Sequence, residues 1–260
     1  MENQDNWLAL AVGNSRLHWA WFKQLTLIET WDTSHLTNQI KPNRLPLRFL
    51  CSGLTEQAGV NLPVYLASVV SQQTQLWQAY DRLYLISLQD IKLSNTYPTL
   101  GVDRALAAWG AISTYNQACL VIDGGTALTF TGVDQQGKLI GGAILPGLRS
   151  QLNSLQQKTP ALPKIQLPDS LPPRWALNTE QAIASGIIYT AIAGIYSYII
   201  AWLEQFPDSQ VVFTGGDGEL LSQYLHQQFF HLQPTIVDQN LLFKGIKLIY
   251  EQHLQRDQAE

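Results

Sequence analysis

Three short clusters in this chain have residue types and spacing suited to handling a phosphate-bearing ligand. Gly13, Asn14 and Ser15 follow the apolar run that ends in Ala11 and Val12, and beyond Arg16 the run LHWAWF leads back to Phe22. Gly124, Gly125 and Thr126 stand in the same setting, between LVID and LTFTGV. Backbone N–H groups of a glycine-rich turn can approach an anion closely, and small hydroxyls add donors. Either turn alone is equally well a hairpin turn selected for its φ angles. Two of them in matching positions, about half a chain apart, point to a polyphosphate held between them. The third cluster is Gly101-Val102-Asp103-Arg104, just before the helical stretch RALAAWGAI. Asp103 reads either as a helix N-cap or as a carboxylate that takes a proton from an attacking hydroxyl, with Arg104 binding an anionic group beside it.

Other positions carry two readings each. Asp123 ends a buried-looking strand directly before the second turn, where a carboxylate can hold a cation or organise the turn's amides. Asn178-Thr179-Glu180-Gln181 has the form of a capping box, and a hydroxyl at a helix start can also touch a ligand. Thr214-Gly215-Gly216-Asp217 follows the strand VVF and is either an ordinary strand-to-helix turn or the place where a nucleotide's adenosine end comes close. The five histidines show no metal spacing, and the eight tryptophans are scattered as packing residues would be.

The elements that must position these clusters follow an α/β plan in both halves. VYLASVV and LYLISL read as strands around a helix near Gln73 to Tyr80, and a helix runs from Arg104 to about Asn116. In the second half, KLIGGAILPG reads as a strand ending in a loop. A long helix after Asn178, the strand VVFTGG, a helix over Glu219–His226 and a closing helix from Leu241 to about Leu254 follow. Thr159–Pro173 carries five prolines and reads as an irregular connection. Two lobes of similar plan result, 1–102 and 103–260, with a hinge near Gly101–Asp103.

Composition bounds the rest. The 260 residues are 46% hydrophobic and 14% charged with a net charge of -4, which suits a buried core and argues against a nucleic-acid backbone binder. Cys51 and Cys119 stand apart, as buried thiols in a reducing cytoplasm would. The opening residues are acidic and interrupted by Gly13 and Asn14, unlike a signal peptide. Gly186–Leu203 is uncharged and close to membrane-spanning length. Its polar interruptions, its glycines and the flanking Glu180 and Glu204 favour a buried or subunit-facing helix over a membrane span.

With these pieces in place, the chain resembles the type III pantothenate kinases, members of the sugar kinase, chaperone and actin superfamily. The resemblance rests on VGNSR, Tyr97-Pro98 with GVDR, DGGTA, GGAILPGL, NTEQAIASGI, TGGD and LLFKGIKLIYE, in that order. It implies two similar lobes of the actin-like ATPase (ribonuclease H-like) fold with the active site in the cleft between them. It also implies ATP-dependent phosphorylation of pantothenate to 4′-phosphopantothenate, the first step of coenzyme A biosynthesis. A homodimer, Mg²⁺ with ATP and a monovalent cation, potassium or ammonium, are further implications. By the same resemblance Asp103 accepts the proton. Tyr97, Gly101, Val102, Asp103, Arg104 and Thr179 contact pantothenate, Ala11, Val12, Gly13, Asn14, Ser15, Arg16 and Thr126 contact ATP, and Asp123 holds the monovalent cation.

Two positions depart from the family pattern. Ala11 stands where an acidic residue, two before the glycine of the first hairpin, helps hold the metal, and Asp5 is too far upstream to replace it. Gly124 stands where a bulky apolar residue is common. A catalytically impaired regulatory or ligand-binding protein on the same fold is the alternative that Ala11 leaves; a kinase of another small alcohol is a further one, decided by the side chains of the substrate pocket.

Overall fold

The computed structural model of the protein describes residues 6–54 and 61–257, so Asp5 lies outside the described residues. The first half contains β1 (Asn6–Val12), β2 (Leu17–Lys23), β3 (Thr26–Thr33), β4 (Val64–Ser68), α1 (Ser71–Trp77), β5 (Leu83–Leu85) and α2 (Val102–Tyr115). The second contains β6 (Cys119–Gly124), β7 (Ala127–Val133), β8 (Leu139–Pro146), α3 (Leu148–Lys158) and α4 (Thr179–Gln205). It continues with β9 (Gln210–Thr214), α5 (Gly218–Gln228), β10 (Ile236–Val237) and α6 (Leu241–Asp257).

The strands form two five-stranded sheets, ordered β3-β2-β1-β4-β5 and β10-β9-β6-β7-β8. Reading the second sheet backwards gives the same plan as the first. In each, three consecutive antiparallel strands are joined on one edge by two parallel ones. Both glycine-rich turns therefore connect the first and second strands of equivalent meanders, as their matching sequence settings suggest.

Burial follows position in the sheet. Strand β1 lies between β2 and β4, and Trp7 to Val12 are all buried, hence the continuous apolar run. At the edge, β3 alternates exposed and partly covered residues. The sequence TLIETWDT announces no strand by hydrophobicity, and no element is expected from it. The core of this sheet gathers Leu8, Leu10, Trp19, Phe49, Leu66 and Trp77. In the second sheet the core is built on α4, whose Ile188, Ile192, Ile195 and Ile199 recur at helical spacing and pack with Ile122, Phe130 and Phe213. One face of α4 is thus core, with 39% of its most apolar window buried, in a helix whose length and composition alone would also suit a membrane span.

The chain divides into two compact units, residues 1–110 with 242–260, and residues 111–241. This differs from a boundary at 102/103 in two ways. Helix α2 begins at Val102, directly after Gly101, and the division falls inside it, between Gly110 and Ala111, so its first turns belong to unit 1. Helix α6 also returns to unit 1: a β-carbon at Gly245 would stand 2.3 Å from the Leu106 carbonyl oxygen, so helix and helix touch through glycine. Tyr250 stacks on Trp7 at 4.3 Å. Helix α3 is a further difference, since it occupies residues where only a loop is expected; just Leu148 and Leu152 are buried on it, too few for a periodic signal. Among the tryptophans, Trp175 is 89% exposed and is not a packing residue.

Candidate active site

In unit 1, the start of α2 gathers four of the expected substrate residues. The Ala105 N–H donates to the Gly101 carbonyl at 3.1 Å, which makes Gly101 the N-cap position. Asp103 is therefore not the N-cap; it lies inside the first turn, where its Oδ1 accepts the Arg104 N–H at 2.8 Å. A β-carbon at 101 would stand 2.4 Å from that Oδ1, so only glycine leaves the carboxylate its place. Burial pushes the Asp103 carboxyl above the usual range, against the pull of the Arg104 N–H and guanidinium. Arg104 is buried, and its Nη1 donates to the Tyr97 hydroxyl at 3.1 Å. Tyr97, from the loop before α2, stays 41% exposed. Val102 is buried beneath. A carboxylate of raised basicity, a guanidinium and a phenol are thus concentrated at one helix start.

The first hairpin turn lies in the same unit. Gly13 N–H donates to the Arg16 carbonyl at 3.1 Å, closing the turn, and Asn14, Ser15 and Arg16 are exposed. Asp32 on β3 takes both Arg16 Nη1, at 2.7 Å, and His18 Nδ1, at 2.6 Å. Ala11 is buried one residue before Val12, paired across the ladder with His18 on one side and Ala67 on the other. No carboxylate comes from position 11, and among the described residues no group of three or more His, Cys, Asp or Glu could hold a metal ion.

In unit 2, the second hairpin, the β9–α5 turn and the start of α3 come together. Gly125 N–H closes the turn on the Ala127 carbonyl at 3.0 Å. Asp123 is half-buried, with its Oδ1 lying over Gly215, where a β-carbon would stand 2.1 Å from it. Gly215 has φ +80°, so backbone conformation and the Asp123 carboxylate both require glycine there. At Gly124 a β-carbon would stand 2.7 Å from Leu221 Cδ1. Leu221 thus fills the room into which a larger residue at 124 would project. Thr126 is exposed, and its carbonyl accepts from Gly147 N–H at 3.0 Å and Ser150 Oγ at 2.6 Å.

Two residues that motif reading left without a role hold this site. Asp217 is buried, and rather than capping α5 it receives Arg149 Nε at 2.9 Å. Arg149 lies on α3, 68 residues away in sequence, so no local signal joins the two. Thr179 is exposed at the first position of α4. Asn178 caps that helix by accepting the Gln181 N–H at 2.9 Å.

Two sheets of equivalent strand order, each with a glycine-rich turn between its first two strands, define a protein of the actin-like ATPase fold. Spiroplasma citri MreB 5 bound to AMPPNP matches over 98% of this chain and 99% of its own, with TM-score 0.53 and 13% identity. A Campylobacter jejuni protein described as a Baf family transcriptional activator matches over 95% and 99%, with TM-score 0.62 and 21% identity. At these identities the likeness concerns the fold. The chain belongs to the type III pantothenate kinase family: that family's model matches residues 7–201. The type III pantothenate kinase of Nostoc sp. is 46% identical over 96% of this chain and 95% of its own length.

Proposed function

We propose that this protein transfers the γ-phosphoryl group of ATP to the primary hydroxyl of pantothenate. The observation that carries the reading, beside family membership, is the start of α2. There a carboxylate of raised pKa, Asp103, lies next to a buried Arg104 that Tyr97 holds. Asp103 takes the hydroxyl proton as that oxygen bonds to the γ-phosphorus, and the bond to the β-phosphate oxygen breaks, releasing ADP. Arg104 binds the pantothenate carboxylate as a fixed cation, with Tyr97, Gly101, Val102 and Thr179 completing its contacts. Positioning and electrostatics carry most of the catalysis in such transfers.

The turn at Gly13, Asn14, Ser15 and Arg16, with Ala11 and Val12 beneath, and Thr126 in the second hairpin, take the nucleotide. Asp123 is the side chain for potassium or ammonium, since its carboxylate rests over the Gly215 backbone where no side chain intervenes. A Mg²⁺ ion carried with ATP would neutralise phosphate charge. The first hairpin brings it no carboxylate, because Ala11 is a methyl group, and no step here depends on a protein-held Mg²⁺. The exposed Gly186, Thr190, Gly194 and Ser197 of α4 form a small, weakly polar face that suits a homodimer, which should sediment as such without detergent.

Phosphorylation of pantothenate by ATP, measured with and without potassium, tests the reading. Formation of 4′-phosphopantothenate is expected, faster with potassium. ATP binding without any product would overturn it in favour of a ligand-binding protein.

A further inference from the structure

The first hairpin is held from one side by a residue outside every motif. His35, two residues beyond β3, places its Nε2 2.8 Å from the Gly13 carbonyl oxygen. A carbonyl only accepts, so Nε2 carries the hydrogen and donates it. The Gly13–Asn14 peptide is trans, and in a planar trans peptide the N–H points opposite to the C=O. Fixing the carbonyl on His35 therefore aims the Asn14 N–H away from His35. That N–H has no backbone partner among the described residues, and Asn14 is exposed.

The rest of the turn is secured otherwise. Gly13 N–H is spent on the Arg16 carbonyl, and Asp32 holds Arg16 and His18 on the strand that follows. The 13–14 peptide lies outside the hairpin ladder, which ends at Val12 and Leu17 and closes with the Gly13 N–H on the Arg16 carbonyl. If it flipped, a carbonyl oxygen would stand where the N–H now stands, and it would repel phosphate oxygens. Such N–H groups, with the exposed Ser15 hydroxyl beside them, are what the turn offers an anion.

We propose that His35 is a positioning residue for ATP: its bond to the Gly13 carbonyl keeps the Asn14 N–H presented to the nucleotide's phosphate. The proposal rests on the kinase reading above. His35→Met keeps the bulk and loses the N–H, whereas His35→Gln keeps a side-chain N–H donor. His35→Met should raise the KM for ATP about fivefold, the worth of one neutral hydrogen bond. The KM for pantothenate should stay at the parent value, and His35→Gln should recover most of the ATP affinity. An unchanged KM for ATP in His35→Met overturns the proposal, as does an equal rise in both KM values. A His35→Met protein that does not fold overturns it too, because the bond would then hold the fold rather than the turn. Absence of pantothenate phosphorylation by the parent would overturn the kinase reading instead. Calorimetric ATP binding then tests His35 separately: weaker binding in His35→Met but not in His35→Gln supports its role, and equal binding overturns it.

Discussion

The Asp103 carboxyl is held partly out of water, and this raises its basicity at the expense of stability. A carboxyl whose pKa is raised in the fold contributes stability that is fully present below the unfolded pKa and is lost as pH rises through the folded one. Asp103→Asn cannot ionise, so it escapes that loss. We predict a kcat about a hundredfold lower, the usual worth of a positioned general base, together with a higher Tm than the parent at about pH 8. The Tm difference should close below about pH 3, where the Asp103 carboxyl is neutral in the folded and the unfolded chain alike. For the parent, the acid limb of kcat/KM should lie above the ordinary aspartate range. A variant with parent-like kcat would leave Asp103 as a helix-start residue only. At Asp123 the expectation is different, since no proton is moved there. Asp123→Ala should abolish stimulation by potassium, and equal parent rates in sodium and potassium buffers would count against the assignment.

At the scale of the element, the two hairpins are alike in plan and unlike in equipment, and Ala11 marks the difference. Its neighbour across the β1–β2 ladder is His18, whose side chain shares the same face of the sheet. An aspartate introduced at 11 would thus be buried beside an imidazole rather than alone, which lowers the cost of the new charge. We predict that Ala11→Asp folds with a Tm close to the parent's and reaches half-maximal rate at a lower Mg²⁺ concentration. If it folds but leaves the Mg²⁺ dependence unchanged, position 11 does not face the metal. Much of this layout was legible in the sequence. Both hairpins, α2, α4, α5 and α6 announce themselves through glycine punctuation, the Asn178 cap and apolar periodicity. Strand β3 and helix α3 do not, because an edge strand and a helix with two buried residues leave almost no apolar pattern. The candidate site was legible where it is local, as in GVDR and DGGTA. It was not where contacts cross the chain, as between Arg149 and Asp217 or between His35 and Gly13.

For the molecule as a whole, the repeated strand order raises the question of where the last helix belongs. Sequence order assigns α6 to the second half, yet Tyr250 stacks on Trp7 at 4.3 Å, and Trp7 in turn stacks on Phe22 at 4.3 Å. His253 Nδ1 meets the Tyr65 hydroxyl at 2.9 Å, so α6 covers the face of β1 and β4 that the Trp19 core leaves uncovered. Trp7 itself is fully buried, and part of its cover is the Tyr250 ring. Truncating that ring removes an aromatic partner and opens a cavity over a tryptophan. Tyr250→Ala should therefore destabilise unit 1 by about 3 kcal/mol, toward the lower end for aromatic-to-alanine changes because Tyr250 is only partly buried. Unit 2 has its own core around α4, to which Tyr250 does not contribute. Amide hydrogen exchange separates the two, because local opening reports on each sheet independently of the other. Protection should fall in β1, β2 and β4 while the amides of β6, β7 and β9 keep theirs. A uniform loss across both sheets would show that α6 does not serve unit 1 in particular, and that the closing helix supports the chain in some other way.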